Sequence, residues 1–173
     1  LDFIGGLPTG VTPLLMEKVN YKGLPRPRLG PSRGDDELAC LLYTSGTSAR
    51  PKGVMLSAGN LASNVSQCVE WAKFDSRDVV LGVLPQFHSF GLTVLTLLPL
   101  AVGGTAVYTA KFVPKRILEL AGQHRPTALV AIPSMYNALR LLKSGTAADF
   151  ASLRYCVSGG EPLPQAVMES FPE

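Results

Sequence analysis

The chain of 173 residues is 46% hydrophobic and 17% charged, which suits a globular domain with its own core and excludes a disordered chain. Its formal charge of +3 comes from 16 scattered basic residues against 13 acidic ones, with no stripe of Lys and Arg interleaved with aromatics; nucleic acid is not the expected partner. Three cysteines, Cys40, Cys68 and Cys156, form no CxxC pair and read as small apolar core residues of a protein in a reducing, cytoplasmic compartment.

Residues 1–34 contain Pro8, Pro13, Pro25, Pro27 and Pro31 with several glycines, and read as an extended lead-in to a domain spanning 35–173. Residues 1–10 lack a basic flank and are interrupted by Gly and Pro, so no signal peptide is expected there. Apolar runs at 38–43, 79–84, 105–108, 127–132 and 153–157 read as buried strands, their continuous hydrophobicity suiting strands covered on both faces. Between them the spacing turns helical. Ser57 is placed to cap a helix with Leu61, Val65, Cys68, Val69 and Ala72 on one face. Residues 90–101 are apolar all round and read as a buried helix, too short for the ~20 residues of a membrane span. Pro114 opens a helix with Ile117, Leu118 and Ala121 inward, and residues 134–142 and 163–171 supply two more. This alternation predicts an α/β fold: a mostly parallel, doubly wound sheet with flanking helices.

The strongest local signal is Tyr43-Thr44-Ser45-Gly46-Thr47-Ser48-Ala49-Arg50-Pro51-Lys52-Gly53, directly after a predicted strand. Hydroxyls and glycine at Thr44 to Thr47 let a backbone approach a polyphosphate and supply donors to it, and Lys52 adds a mobile positive charge. The common P-loop does not fit. Five residues separate Gly46 from Lys52, Gly53 follows the lysine, and Val54 stands where a metal-binding hydroxyl is required.

This stretch resembles the phosphate loop of the adenylate-forming enzymes (acyl-CoA synthetases, luciferases and peptide-synthetase adenylation domains), usually Tyr-Thr-Ser-Gly-Thr-Thr-Gly-x-Pro-Lys-Gly. The sequence departs at Ser48, which keeps the hydroxyl, and at Ala49, where glycine is common. It departs again at Ala58, where many relatives carry histidine. Two further blocks resemble the family in the same order: Leu84-Pro85-Gln86-Phe87-His88-Ser89-Phe90-Gly91 and Val157-Ser158-Gly159-Gly160-Glu161-Pro162-Leu163. Ala131-Ile132-Pro133-Ser134 is similar to another pocket-lining turn.

The resemblance implies an AMP-forming acid–thiol ligase, most like long-chain fatty-acid–CoA ligases, using ATP, Mg²⁺ and coenzyme A or a carrier-protein pantetheine. It implies that Thr44, Ser45, Gly46, Thr47, Ser48 and Lys52 hold the phosphates, with Lys52 the catalytic group. Gly159, Gly160 and Glu161 would lie against the nucleotide, and Phe87, His88 and Gly91 would line the acyl site; no residue is assigned to a metal. From the residues themselves, Glu161 equally suits a cap on the helix beginning near Pro162, and His124 a solvated helix end. The family's Tyr-Gly-x-Thr-Glu block and late catalytic lysine are not found within the 173 residues, so the chain is expected to be a fragment with little turnover alone. A non-catalytic module of the same fold and an amino-acid adenylation domain stay open, as do peripheral membrane association and the oligomeric state.

Overall fold

The computed structural model describes residues 34–44, 51–143 and 145–170, with the backbone alone of Ser170. Most of the predicted lead-in, as well as Ser45, Gly46, Thr47 and Ser48, lies outside the described residues.

The first two strands, β1 (Leu38–Thr44) and β2 (Lys52–Ser57), form an antiparallel pair running from Leu38 opposite Ser57 to Thr44 opposite Lys52. This corrects one expectation: the run at 38–43 is not a buried strand of the parallel sheet. A Ser/Thr/Gly-rich connection between two short apolar runs lets them pair locally as a hairpin. Cys40 and Leu42 are half-buried, while Leu41 and Tyr43 are exposed. At the base of the hairpin, Ala58 N–H donates to the Glu37 carbonyl (2.9 Å) and Gly59 N–H to the Asp35 carbonyl (2.8 Å).

Helix α1 (Ala58–Ala72) begins where the sequence predicts. Ser57 Oγ accepts from Asn60 N–H at 3.2 Å, and Asn60 Oδ1 accepts from Ser57 N–H at 3.1 Å, a reciprocal cap that satisfies two otherwise orphaned donors. Strands β3 (Val79–Gly82), β4 (Thr105–Tyr108), β5 (Ala128–Ala131) and β6 (Tyr155–Ser158) form a parallel sheet in the order β4-β3-β5-β6. The chain between β3 and β4 is helical from Ser89 to Val102: α2 (Ser89–Gly91), a π-helical stretch Leu92–Leu97, and α3 (Leu98–Val102). Next come α4 (Pro114–His124), α5 (Pro133–Arg140), a 3₁₀ turn at Ala147–Phe150, and α6 (Gln165–Ser170).

Alternation along the strands sends side chains to both faces. Leu81 and Leu129 pack with Ile117 and Leu120 of α4, Tyr136 and Leu139 of α5, and Val167 of α6. Val80, Ala128 and Val130 pack on the other face with Val65 and Ala72 of α1, Phe74, Leu95 and Leu98. Each fully buried Leu or Ile contributes about 1.5–3 kcal/mol. The sheet is therefore doubly wound, with helices on both faces. The residues at 90–101 are less buried than expected: Leu95, Leu98 and Pro99 are inside, but Leu100 is 74% exposed. Cys156, on edge strand β6, is exposed rather than in the core, because no strand covers that edge among the described residues. No helix among the described residues is long and apolar enough to cross a membrane.

A polar cluster ties the amino ends of the strands together. Asp78, only 2% exposed, accepts from Thr127 Oγ1 (2.7 Å) and Arg154 Nη1 (2.9 Å) on Oδ1, and from Asp75 N–H (2.8 Å) on Oδ2. Thr127 Oγ1 in turn accepts from Val79 N–H (3.0 Å). One buried carboxylate thus links the starts of β3, β5 and β6 and leaves their carboxyl ends free of this constraint.

Candidate functional site

Strand order reverses between β3 and β5: the chain leaves β3 for β4 on one side and returns to β5 on the other. In open parallel sheets, ligands bind outside the carboxyl ends of the strands at such a reversal. Three of the predicted blocks stand at these ends, following β3, β5 and β6.

The block after β3 approaches the block after β6 through Phe90. A Cβ added at Gly159 would lie 3.1 Å from the Phe90 ring, a tight contact that glycine avoids. Gly160 takes φ of +82°, the left-handed region open to glycine at little cost. The block after β6 meets the block after β5 through Glu161, whose Oε2 and Oε1 accept from Ser134 N–H and Ser134 Oγ, both at 3.3 Å. Glu161 therefore caps a helix, but that helix is α5 rather than the one near Pro162. A carboxylate there is favoured by the unpaired N–H groups of the first turn. Beneath the junction, the Tyr136 hydroxyl reaches the carbonyls of Leu129 (2.7 Å) and Val157 (3.1 Å), tying β5 to β6; burial pushes its pKa well above the ordinary tyrosine range.

His88 is the N-cap of α2, its Nδ1 accepting from Phe90 N–H at 3.3 Å. The residue itself is exposed. Gly91 is buried, and a Cβ there would come within 2.1 Å of the Pro85 carbonyl oxygen. Its glycine is explained by packing of the chain against its own loop. Phe87 is 84% exposed and helps line a cleft of about 490 Å³ at the carboxyl ends of β3 and β4, together with residues 82–86 and 108–110. Phe87 and Phe90 thus serve different surfaces. His124, the last residue of α4, is exposed, as expected of a solvated helix end.

Of the predicted phosphate loop, Thr44 and Lys52 are described. They are cross-strand partners where β1 ends and β2 begins, and both are exposed. The last residue of α1, Ala72, accepts from the Tyr155 hydroxyl at the start of β6 (2.5 Å). Among the described residues no group of three or more His, Cys, Asp or Glu is arranged to hold a metal. Sequence reasoning missed strand β2, the Asp78 cluster and Tyr108, whose hydroxyl donates to the Leu95 carbonyl. The apolar run Val54-Met55-Leu56 was the available signal for β2.

An open parallel sheet with helices on both faces and its loops gathered at a strand-order reversal defines a doubly wound α/β protein. The family follows from comparison: residues 10–173 match the AMP-binding enzyme family, and the chain belongs to it. It is 32% identical over 148 residues to a long-chain-fatty-acid–CoA ligase of Bacillus subtilis (strain 168), covering 84% of this chain and 26% of that protein. It is 36% identical over 131 residues to a feruloyl-CoA synthase of Amycolatopsis sp, covering 76% and 27%. The fold matches ATP-bound MatB from Rhodopseudomonas palustris with a TM-score of 0.75 at 37% identity, over 80% of this chain and 27% of that one. The chain spans about a quarter of the length of the curated relatives it matches.

Proposed function

We propose that the chain is part of an ATP-dependent carboxylic acid–CoA ligase of the cytoplasm that forms an acyl-adenylate, with a fatty acid as the acid. The observation carrying this reading is the junction of three blocks at the strand-order reversal, through Phe90 against Gly159 and Glu161 against Ser134. The similarity to acyl-CoA ligases supports coenzyme A as the acceptor, over a carrier-protein pantetheine.

In the first step an oxygen of the substrate carboxylate attacks the α-phosphorus of ATP. The bond to the bridging oxygen breaks, and pyrophosphate leaves with that electron pair. The sulfur of coenzyme A then attacks the acyl carbon, and AMP departs. Negative charge spreads over the phosphoryl oxygens in the first step, so positioning and electrostatic stabilisation are the protein's contribution. Lys52 supplies positive charge to the departing phosphates, and Thr44, Ser45, Gly46, Thr47 and Ser48 supply hydroxyl and N–H donors. Gly159 and Gly160 offer a backbone free of side chains to the adenine ring, and Glu161 fixes that turn to α5. Phe87, His88 and Gly91 belong to the acyl side, Gly91 by shaping the loop. Mg²⁺ would screen the phosphate charge, and among the described residues no group of three or more His, Cys, Asp or Glu is arranged to hold it.

A second reading, an arylpropenoic acid as substrate, is favoured by similarity to feruloyl-CoA synthases and 4-coumarate–CoA ligases, and by the exposed aromatic Phe87. The test is exchange of labelled pyrophosphate into ATP by the intact protein, with palmitate, ferulate and phenylalanine offered separately. Exchange with palmitate, lowered about 100-fold by Lys52→Ala, is the expected result. Exchange with ferulate alone would select the aryl acid, exchange with phenylalanine alone an amino-acid adenylating enzyme, and no exchange with any acid a non-catalytic module.

A further inference from the structure

We propose that Tyr108 is a positioning residue for the acyl side of the site: by donating its hydroxyl to the Leu95 carbonyl it holds a π-helical turn that aims Phe90 at Gly159. The proposal rests on the reading of the site given above, and deepens it.

The helical stretch from Ser89 to Val102 is not uniform. Between Leu92 and Leu97 it widens, with Leu98 N–H donating to the Thr93 carbonyl five residues back rather than four. Pro99 supplies a reason. In a regular α-helix the Leu95 carbonyl would accept from the N–H of residue 99, but proline has none, and its ring crowds the carbonyl four residues before it. Opening the turn relieves that crowding. The carbonyl is met instead from β4, where Tyr108 Oη lies 2.5 Å from Leu95 O. Gly82 of the neighbouring strand makes this meeting sterically feasible. A Cβ there would come 3.1 Å from both Leu95 methyls and 3.2 Å from the Tyr108 ring.

The widened turn matters because of what precedes it. Leu95 and Leu98 are buried and anchor the helix on the sheet. One residue more in a turn rotates everything before it by about 100° and shifts it by about 1.5 Å, relative to an unbroken α-helix. The first turn carries His88 as its cap and Phe90 against Gly159. Closing the π turn to an α turn would swing Phe90 off that glycine. Tyr108 does not touch Phe90; it acts through the helix, from the wall of the cleft at the ends of β3 and β4.

The test uses Tyr108→Phe, which keeps the ring and removes the donor, and Pro99→Ala, which restores an N–H at position 99. Both are made in the intact protein, singly and together. For each, pyrophosphate exchange is measured against fatty acids of graded length, and the crystal structure of the double variant is determined. The expected result is a change of about tenfold or more in the ratio of kcat/KM between long and short acids. A reordering of acids by length is a split that general loosening of the fold would not give. In the double variant the helix should be α throughout, with Phe90 withdrawn from Gly159. An unchanged acid ranking in a wild-type protein that does exchange pyrophosphate would overturn the proposal and leave the ligase reading standing. If the wild type exchanges with no acid, the ligase reading falls, and the crystal structure still decides the geometry: a π turn retained in the double variant overturns it. Should Tyr108→Phe fail to fold, Pro99→Ala alone carries the same two readouts.

Discussion

Replacing Asp78 by alanine should destabilise the chain by about 3 kcal/mol, and the figure follows from what its carboxylate touches. Three donors lose a charged acceptor: Thr127 Oγ1, Arg154 Nη1 and Asp75 N–H. Hydrogen bonds to charged groups contribute about 1.5–3 kcal/mol each, but these three are not additive. The Arg154 side chain is 43% exposed and rehydrates once released, so its share is small. Thr127 Oγ1 lies 3.4 Å from the Val79 carbonyl and can turn to it. That leaves the part-buried Asp75 N–H and the cavity, which puts the loss at the bottom of the roughly 3–5 kcal/mol range for breaking a fully buried pair. Urea unfolding should show a lower midpoint with unchanged slope, and the melting temperature should fall by about 6–12 °C. Asp78→Asn, which keeps an acceptor for Thr127, should lose about half as much. A change under about 0.5 kcal/mol for alanine would mean that the cluster is a solvated surface feature and does not hold the strand starts together.

Gly160→Ala forces a Cβ into the left-handed region at φ +82° and should cost about 1–2 kcal/mol in urea unfolding, with a raised KM for ATP in the intact protein because Glu161 is pulled from Ser134. A variant as stable as wild type, with unchanged KM, would contradict the account of that turn. The Asp75 carboxyl is held down to about 2 by side-chain hydrogen bonds from Arg77 and by the Arg77 N–H. A depressed folded-state pKa stabilises above the unfolded value near 3.8 and loses that contribution as pH falls towards 2. The difference in unfolding midpoint between wild type and Asp75→Asn should therefore be small but present at pH 7, and vanish near pH 2; a constant difference across that range would refute it.

Much of the parallel sheet was legible because its strands are short continuous apolar runs and its helices open with clear signals. Ser57 caps α1 as the sequence announces, and Pro114 begins α4 where it should. The hairpin was not legible, since the run at 38–43 has the same apolar content as a buried parallel strand and differs only in having a nearby partner. The π turn could not be read at all. It arises from Pro99 meeting a hydroxyl donor on a strand that pairs elsewhere, and neither periodicity nor motif records that encounter. Glu161 shows the same limit: its value as a cap was visible, but the helix it serves lies 27 residues earlier in the chain. At Gly91 and Gly159 the structure adds a packing reason for glycine that the sequence does not carry, since an added Cβ would meet Pro85 and Phe90.

The central claim is that the hairpin bearing Thr44 and Lys52 receives the triphosphate of ATP. A crystal structure of the intact protein with ATP tests it most directly. Lys52 Nζ within about 3 Å of a phosphate oxygen, and donors from the residues between Thr44 and Lys52 on the same phosphates, is the predicted result. A triphosphate bound at another edge of the sheet, with Lys52 directed into solvent, would contradict it.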